Sequence, residues 1–409
     1  MSAQQLPTPP VPPGFNRDLV TLIITTSPTP SAPSAELLSA VLLSFRAHCP
    51  ALLEYRVILV IDTYDHITTR ARLKKGQVTA DFAQKFAAYK DNAKRLILDQ
   101  YALTPPGEDT DSHGRDMVLS SAEAEFGSIQ YAKQNNNVPL AISRTRDGRV
   151  TFIEPEVRLG FGLAVRSALR LTETPYVWVH QHDWALVADI PIGPLLDIMQ
   201  EQERHASESD SSPADTAADD MDRQVLTVPV KYVCFPSIRM VSYATSDHVV
   251  QFPALRALTN LHKQNFTPRS SAATAPSPQG APQKIPLTPL FFWHDKPHLA
   301  STAHYLALVF PNRMSMLRGA FIEDTAGHRA RCEMKDGQWR RWACWLYYPD
   351  DGRKLCVRHL KGRTWRGTEA ELAKKIEWLQ LSARWPLTPP VSEAALKTAP
   401  ASSVQVPAS

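Results

Sequence analysis

The sequence contains no CxxC pair; its five cysteines, Cys49, Cys234, Cys332, Cys344 and Cys356, are scattered and odd in number. That pattern argues against a disulfide framework and a zinc ribbon, and points to reduced thiols in or near a core. Runs of five or six like charges are also missing, and the formal net charge is only +4, so no nucleic-acid footprint is visible. No stretch approaches the ~20 apolar residues that span a bilayer. The longest apolar runs, LVTLIITT (residues 19–26) and YRVILVID (residues 55–62), are strand-sized. The first residues, MSAQQLPTPPVPPGFNRD, lack the basic and apolar blocks of a signal peptide. A cytoplasmic protein is expected, without nucleic acid or a transmembrane segment, reaching membranes only through partners.

What is present divides sharply. The hydrophobic content of 43% suffices for a sizeable core, while 34 prolines mark what lies outside it. Residues 1–17 and 386–409 are Pro-rich or small and polar. The segments at about 203–223 and 265–284 carry few large apolar groups. Such compositions do not repay their ordering entropy, so two disordered ends and two disordered insertions are expected around one domain, residues 18–385.

Inside that domain, apolar strands and amphipathic helices alternate. The run ELLSAVLLSFRAH places Leu37, Leu38, Val41, Leu42 and Phe45 on one helical stripe, with Ser34 as a candidate N-cap and Pro50 beyond the end. Residues 79–102 and 118–134 are expected to be helical, VPLAIS and VTFIEP to be strands, and GLAVRSALRL to be a helix feeding the strand YVWVHQ. This order predicts an α/β fold, with a mostly parallel sheet flanked by helices. Ligands of such sheets sit beyond the carboxyl ends of the strands.

The predicted strand ends carry the chemistry. Thr25, Thr26 and Ser27 follow the first strand in a proline-stiffened loop, suited to a nucleotide or sugar face or merely to a rigid connection. The loop has no GxxxxGK[ST] pattern, which disfavours a Walker-type NTPase. Asp62 closes the second strand, where a carboxylate accepts from a ribose hydroxyl or a base, or serves as a turn acid. Arg166 follows Gly160 and Gly162 on the next helix, a place from which a guanidinium reaches a diphosphate. In HQHDW, strand alternation separates His180 and His182 from Gln181 and Asp183, so all four cannot ligate one metal together. Asp183, assisted by His182 or Gln181, is the candidate metal ligand; the alternative is a polar strand end.

In order, these pieces are a Thr/Ser/Pro loop, a strand ending in Asp, a Gly-rich Arg-bearing helix and a strand closing in x-x-D. That order resembles the GT-A fold glycosyltransferases, especially the family 2-like group, over roughly residues 18–365. The resemblance implies a GT-A-like (Rossmann-like) twisted sheet and transfer of a sugar from a UDP- or GDP-sugar to a carbohydrate, lipid or protein hydroxyl, with inversion. It implies that Asp183 stands at the second carboxylate of a DxD motif and binds Mn²⁺ or Mg²⁺. Gln181 occupies the first carboxylate position, a departure that bears on the metal site. On the same resemblance Thr25, Thr26, Ser27 and Asp62 face the nucleoside, and His359 is a further ligand. In FIED, Asp324 is the catalytic base and Glu323 its tuning neighbour. Other readings are a catalytically inactive carbohydrate- or protein-binding relative, for which Gln181 speaks, and a nucleotidyltransferase, which would want cations in the first loop. Trp293, Trp342 and Trp345 are expected in the core, with a sugar-stacking platform as the alternative.

Overall fold

Uninterrupted apolar runs become strands buried on both faces. In the computed structural model, residues 16–101, 117–127, 136–210, 228–268 and 284–384 are described. The chain divides into two compact units, Met1–Trp365 and Arg366–Ser409. The described part of the second is a helix, Thr368–Arg384.

The first unit is built on an eleven-stranded mixed sheet. Its centre is parallel: β1 (Val20–Thr26) lies between β2 (Arg56–Ile61) and β8 (Tyr176–Gln181), and β7 (Val150–Pro155) adds beside β2. Every residue of β1 is buried, and so are all but the first of β2 and the last of β8. Helices must therefore cover both faces. α1 (Glu36–His48) buries the predicted stripe of Leu37, Leu38, Val41, Leu42 and Phe45, and Ser34 Oγ accepts from the Glu36 N–H at 3.2 Å. α2 (Ala80–Tyr101) buries Phe86, Tyr89, Ala93, Ile97 and Tyr101. α3 (Phe161–Arg170) is buried along nearly its whole length and connects β7 to β8.

Beyond β8 the sheet is mixed. β13 (His298–Ser301) is antiparallel to β8, and β10 (Tyr232–Cys234) is antiparallel to β13 and parallel to β14 (Cys344–Tyr347). β12 (Ile285–Pro289) and β11 (Gln264–Phe266) finish that edge. Two short pairs stand apart: β3 (His66–Ile67) with β4 (Gln77–Val78), and β9 (Trp184–Leu186) with β15 (Val357–His359). From β1 the chain runs to β2 and, by way of two edge strands (Met117–Glu125 and Asn137–Thr145), to β7 on one side, and then through α3 returns to β8 on the other. The chain reverses its winding direction between β1 and β8, the switch point where α/β sheets hold ligands.

Four expectations change. The sheet expected to be mostly parallel is mixed, with six of its ten strand pairings among the described residues antiparallel. The predicted helix over 118–134 begins as a strand: β5 (Met117–Glu125) pairs along its length with β6 (Asn137–Thr145), and residues 128–135 lie outside the described residues. Ala122 to Glu125 read locally as helix formers, but a nine-residue ladder satisfies the same backbone groups, and tertiary pairing overrides propensity. The segment expected to be a disordered insertion from about residue 203 begins as helix, because α4 (Ile192–Asp210) continues into it. Glu203 accepts from the Tyr176 hydroxyl and from Lys231 Nζ, both at 2.7 Å, which ties this end of the helix to the sheet. The insertion at 265–284 likewise begins within β11; residues 211–227 and 269–283, like 1–15 and 385–409, are not among those described.

Trp293, Trp342 and Trp345 are fully buried, as the core reading expected. Four cysteines are buried free thiols and Cys332 is exposed. Among the described residues, no helix is long and apolar enough to cross a membrane.

Candidate active site

Main-chain bonds continue past the strand ends and set the floor of a site. Asp62 N–H donates to Thr26 O at 2.8 Å, and His182 N–H donates to Thr25 O at 2.9 Å. Those two bonds place Thr25, Thr26 and Ser27, Asp62 and the HQHD segment side by side. A cavity of about 1240 Å³ opens over them, lined by all of these except His180 and by Gly160, Asp295, Lys296, Glu323, His359, Lys361 and Arg363. Pockets of roughly 300–1,000 Å³ hold drug-sized ligands, so this cavity has room for a ligand of that size or larger.

Asp62 is stapled. Its Oδ1 accepts from Thr63 N–H (2.9 Å) and Leu159 N–H (2.7 Å), and its Oδ2 from Gly160 N–H (2.9 Å). Burial pushes its pKa up to about 6 against these donors and the nearby Arg158 charge. The carboxylate that the sequence assigned to a nucleoside therefore fixes the start of α3, and one lone pair remains for a ligand. Gly160 is required there: its φ is +80°, and a Cβ would stand 2.5 Å from the Gly319 Cα.

Asp183 is bound to one distant segment in three ways. His359 Nε2 lies 3.0 Å from Oδ2, Gly362 N–H donates to the same oxygen at 3.1 Å, and Leu360 N–H donates to Asp183 O at 2.7 Å. The β9–β15 ladder continues that join. Burial would raise the Asp183 pKa, but the His359 hydrogen bond, the neighbouring imidazoles and the Gly362 N–H hold it down at about 2. Its Oδ1 is buried with no hydrogen-bond partner. His182 Nδ1 accepts from Ser27 N–H at 3.1 Å, and burial lowers its pKa, so the imidazole is neutral.

The three residues assigned to a metal, Asp183, His182 and His359, thus do lie together. Each has already given a donor atom to another protein group, and among the described residues no cluster of three or more His, Cys, Asp or Glu side chains is arranged to hold a metal ion. Gln181 points elsewhere, its Nε2 donating to Asp295 O at 2.9 Å. As placed, this donor set does not fit Mn²⁺ or Mg²⁺, which call for several convergent oxygens.

The FIED segment splits its two acids. Glu323 lines the cavity, and its Oε1 meets His294 Nδ1 and Asp295 N–H, both at 3.0 Å. Burial opposes ionisation of Glu323, but the His294 and Asp295 contacts outweigh it and lower the pKa. Asp324 is exposed and is not among the lining residues. Arg166 is not among them either: its buried guanidinium donates to Glu125 O at 2.9 Å and, at 3.5 Å, to Arg313 O, and burial lowers its pKa to about 10. It was placed by position in the helix, whereas the side chain follows the buried face of α3.

Sequence reading missed Asp295. Its Oδ1 accepts from Glu323 N–H at 3.2 Å, its Oδ2 is buried without a partner, and it lines the cavity. Burial, then the Glu323 and Asp324 charges, raise its pKa well above its ordinary value. The signal was the polar run WHDK between two apolar strands. No protein-family model matches this chain, and no curated protein matches it.

Proposed function

We propose that the chain is a glycosyltransferase that moves a sugar from a nucleotide-sugar donor to a hydroxyl acceptor, with inversion. The observation that carries this reading is the meeting, round one cavity at the switch point, of the ends of β1, β2 and β8 with a paired carboxylate at Glu323 and Asp295. The loop of Thr25, Thr26 and Ser27, with Asp62 behind it, supplies the nucleoside wall.

In the reaction, an acceptor oxygen attacks the anomeric carbon as the bond to the diphosphate breaks, and the diphosphate leaves with the electron pair. A carboxylate must take the acceptor proton. Glu323 suits that role: it lines the cavity, it is held as an anion by His294 and Asp295 N–H through Oε1, and none of the described hydrogen bonds reaches its Oε2. The base role expected of Asp324 passes to its neighbour on this reading. Asp295 fixes the Glu323 main chain through its Oδ1. Charge on the departing diphosphate falls to lining cations such as Lys296, Lys361 and Arg363.

The test is thermal unfolding of the purified chain with UDP and with GDP. A ligand that binds only the folded state raises stability by RT ln(1 + [L]/Kd). A rise in melting temperature with one nucleoside diphosphate, absent with inorganic phosphate, is the expected result. No rise with either nucleotide removes the transferase reading.

A further inference from the structure

The segment over residues 357–364 follows the wall of the cavity and contributes Val357, Arg358, His359, Lys361, Arg363 and Thr364 to its lining. Asp183 fastens it through the His359 ring, the Leu360 N–H and the Gly362 N–H. The turn itself is tight. Lys361 has a φ of +57°, and a Cβ on Gly362 would stand 2.9 Å from Asp183 Oδ2 and 3.0 Å from His182 Nε2. Among the described residues, no ion pair links Arg358, Lys361 or Arg363 to a carboxylate. The Arg363 guanidinium instead lies over the Phe321 ring at 5.8 Å, beside Glu323 in the chain. Lys296 and Arg239 line the cavity as well, also without a described ion pair.

We infer that Asp183 is the anchor of a cationic strap, residues 358–363, and that this strap holds the diphosphate of the donor without a divalent cation. This inference rests on the transferase reading. It explains two departures at once. Oδ2 of Asp183 is occupied by two donors from the strap, so a metal would find only its Oδ1, with no second carboxylate at position 181. A carboxylate at position 181 would lose the donor that Gln181 gives to Asp295 O, and would add a negative charge near the Glu323 carboxylate that Asp295 N–H holds. Glutamine keeps the bond and adds no charge. A diphosphate needs charge and hydrogen-bond donors, and guanidinium and ammonium groups supply both. Asp183 acts through the strap, as a positioning residue.

The experiment is calorimetric titration of the full chain with UDP and GDP, once in excess EDTA and once in millimolar Mn²⁺. The tighter nucleotide is then repeated on Asp183→Ala, Asp183→Asn and the double variant Lys361→Ala/Arg363→Ala, each checked by its melting curve. The wild-type chain is expected to bind equally well in both buffers. The double variant is expected to weaken binding by about 10- to 100-fold in both. Asp183→Asn, whose side-chain oxygen still accepts from Gly362 N–H, should lose less than Asp183→Ala, again equally in both buffers. Binding that requires Mn²⁺, with the Mn²⁺ effect abolished in Asp183→Asn, overturns the strap and leaves the transferase reading standing. Absence of binding in either buffer overturns both. The comparison of buffers on the wild-type chain decides the matter even if a variant fails to fold.

Discussion

Glu323 and Asp295 hold each other through crossed main-chain bonds: Asp295 N–H donates to Glu323 Oε1 at 3.0 Å, and Glu323 N–H donates to Asp295 Oδ1 at 3.2 Å. The two acids are tied to each other, and their pKa values are pushed apart, that of Glu323 down by its His294 and Asp295 contacts against burial and that of Asp295 up by burial. Loss of a general base typically costs about 10²–10⁴-fold in rate, and Glu323→Gln is expected to lose turnover on that scale while keeping nucleotide affinity. Asp324→Asn, altered at an exposed position, should retain near wild-type rates. Initial rates on the two variants separate these roles, and a fully active Glu323→Gln would remove Glu323 as base.

Asp295→Asn should melt close to the wild-type temperature at neutral pH. The amide has the shape of the neutral acid and its oxygen still accepts from Glu323 N–H. Asp295→Ala leaves that donor unpaired and is expected to be less stable by about 1–3 kcal/mol. Denaturant unfolding of both variants checks the difference; equal losses would mean that Asp295 is ionised in the folded protein.

Arg166→Ala should destabilise the fold without weakening nucleotide binding. It strips a buried donor from Glu125 O and leaves a gap under α3. A loss of about 1–3 kcal/mol in unfolding free energy is expected, with unchanged affinity for the diphosphate in the folded fraction. Selective loss of affinity would return Arg166 to the site.

Acid should erode stability through His298. This side chain is fully buried, its Nδ1–H donates to Lys296 O at 2.7 Å, and its Nε2 has no partner. Burial, only partly opposed by the Lys296 carbonyl bond, depresses its pKa from 6.5 to about 3. Between those values the unfolded chain binds a proton that the folded chain does not, so stability falls as pH falls from 6.5 toward 3. A His298→Gln variant should show a flatter decline over that range; an unchanged slope would assign it to other groups.

Much of the fold was legible because the central strands are buried on both faces and therefore read as unbroken apolar runs, as at residues 19–26 and 55–62. The α1 stripe was legible because a helix buried on one face repeats its apolar residues at helical spacing. β5 was not, because an exposed edge hairpin needs no core-facing pattern. The site was legible where backbone register alone decides position, as for Thr25, Asp62 and His182. It was illegible where side-chain direction or long-range pairing decides. Nothing local turns Arg166 inward to Glu125, sends Gln181 to the Asp295 carbonyl, or joins Asp183 to His359 and Gly362.

The most direct measurement of the central claim is release of UDP or GDP from a panel of UDP- and GDP-sugars with mixed hydroxyl acceptors, run in parallel on wild-type chain and Glu323→Gln. The account predicts turnover with one donor and a drop of about 10²-fold or more in the variant, with nucleotide binding retained. Equal release by the two proteins, or a wild-type chain that binds no nucleoside diphosphate, would contradict it.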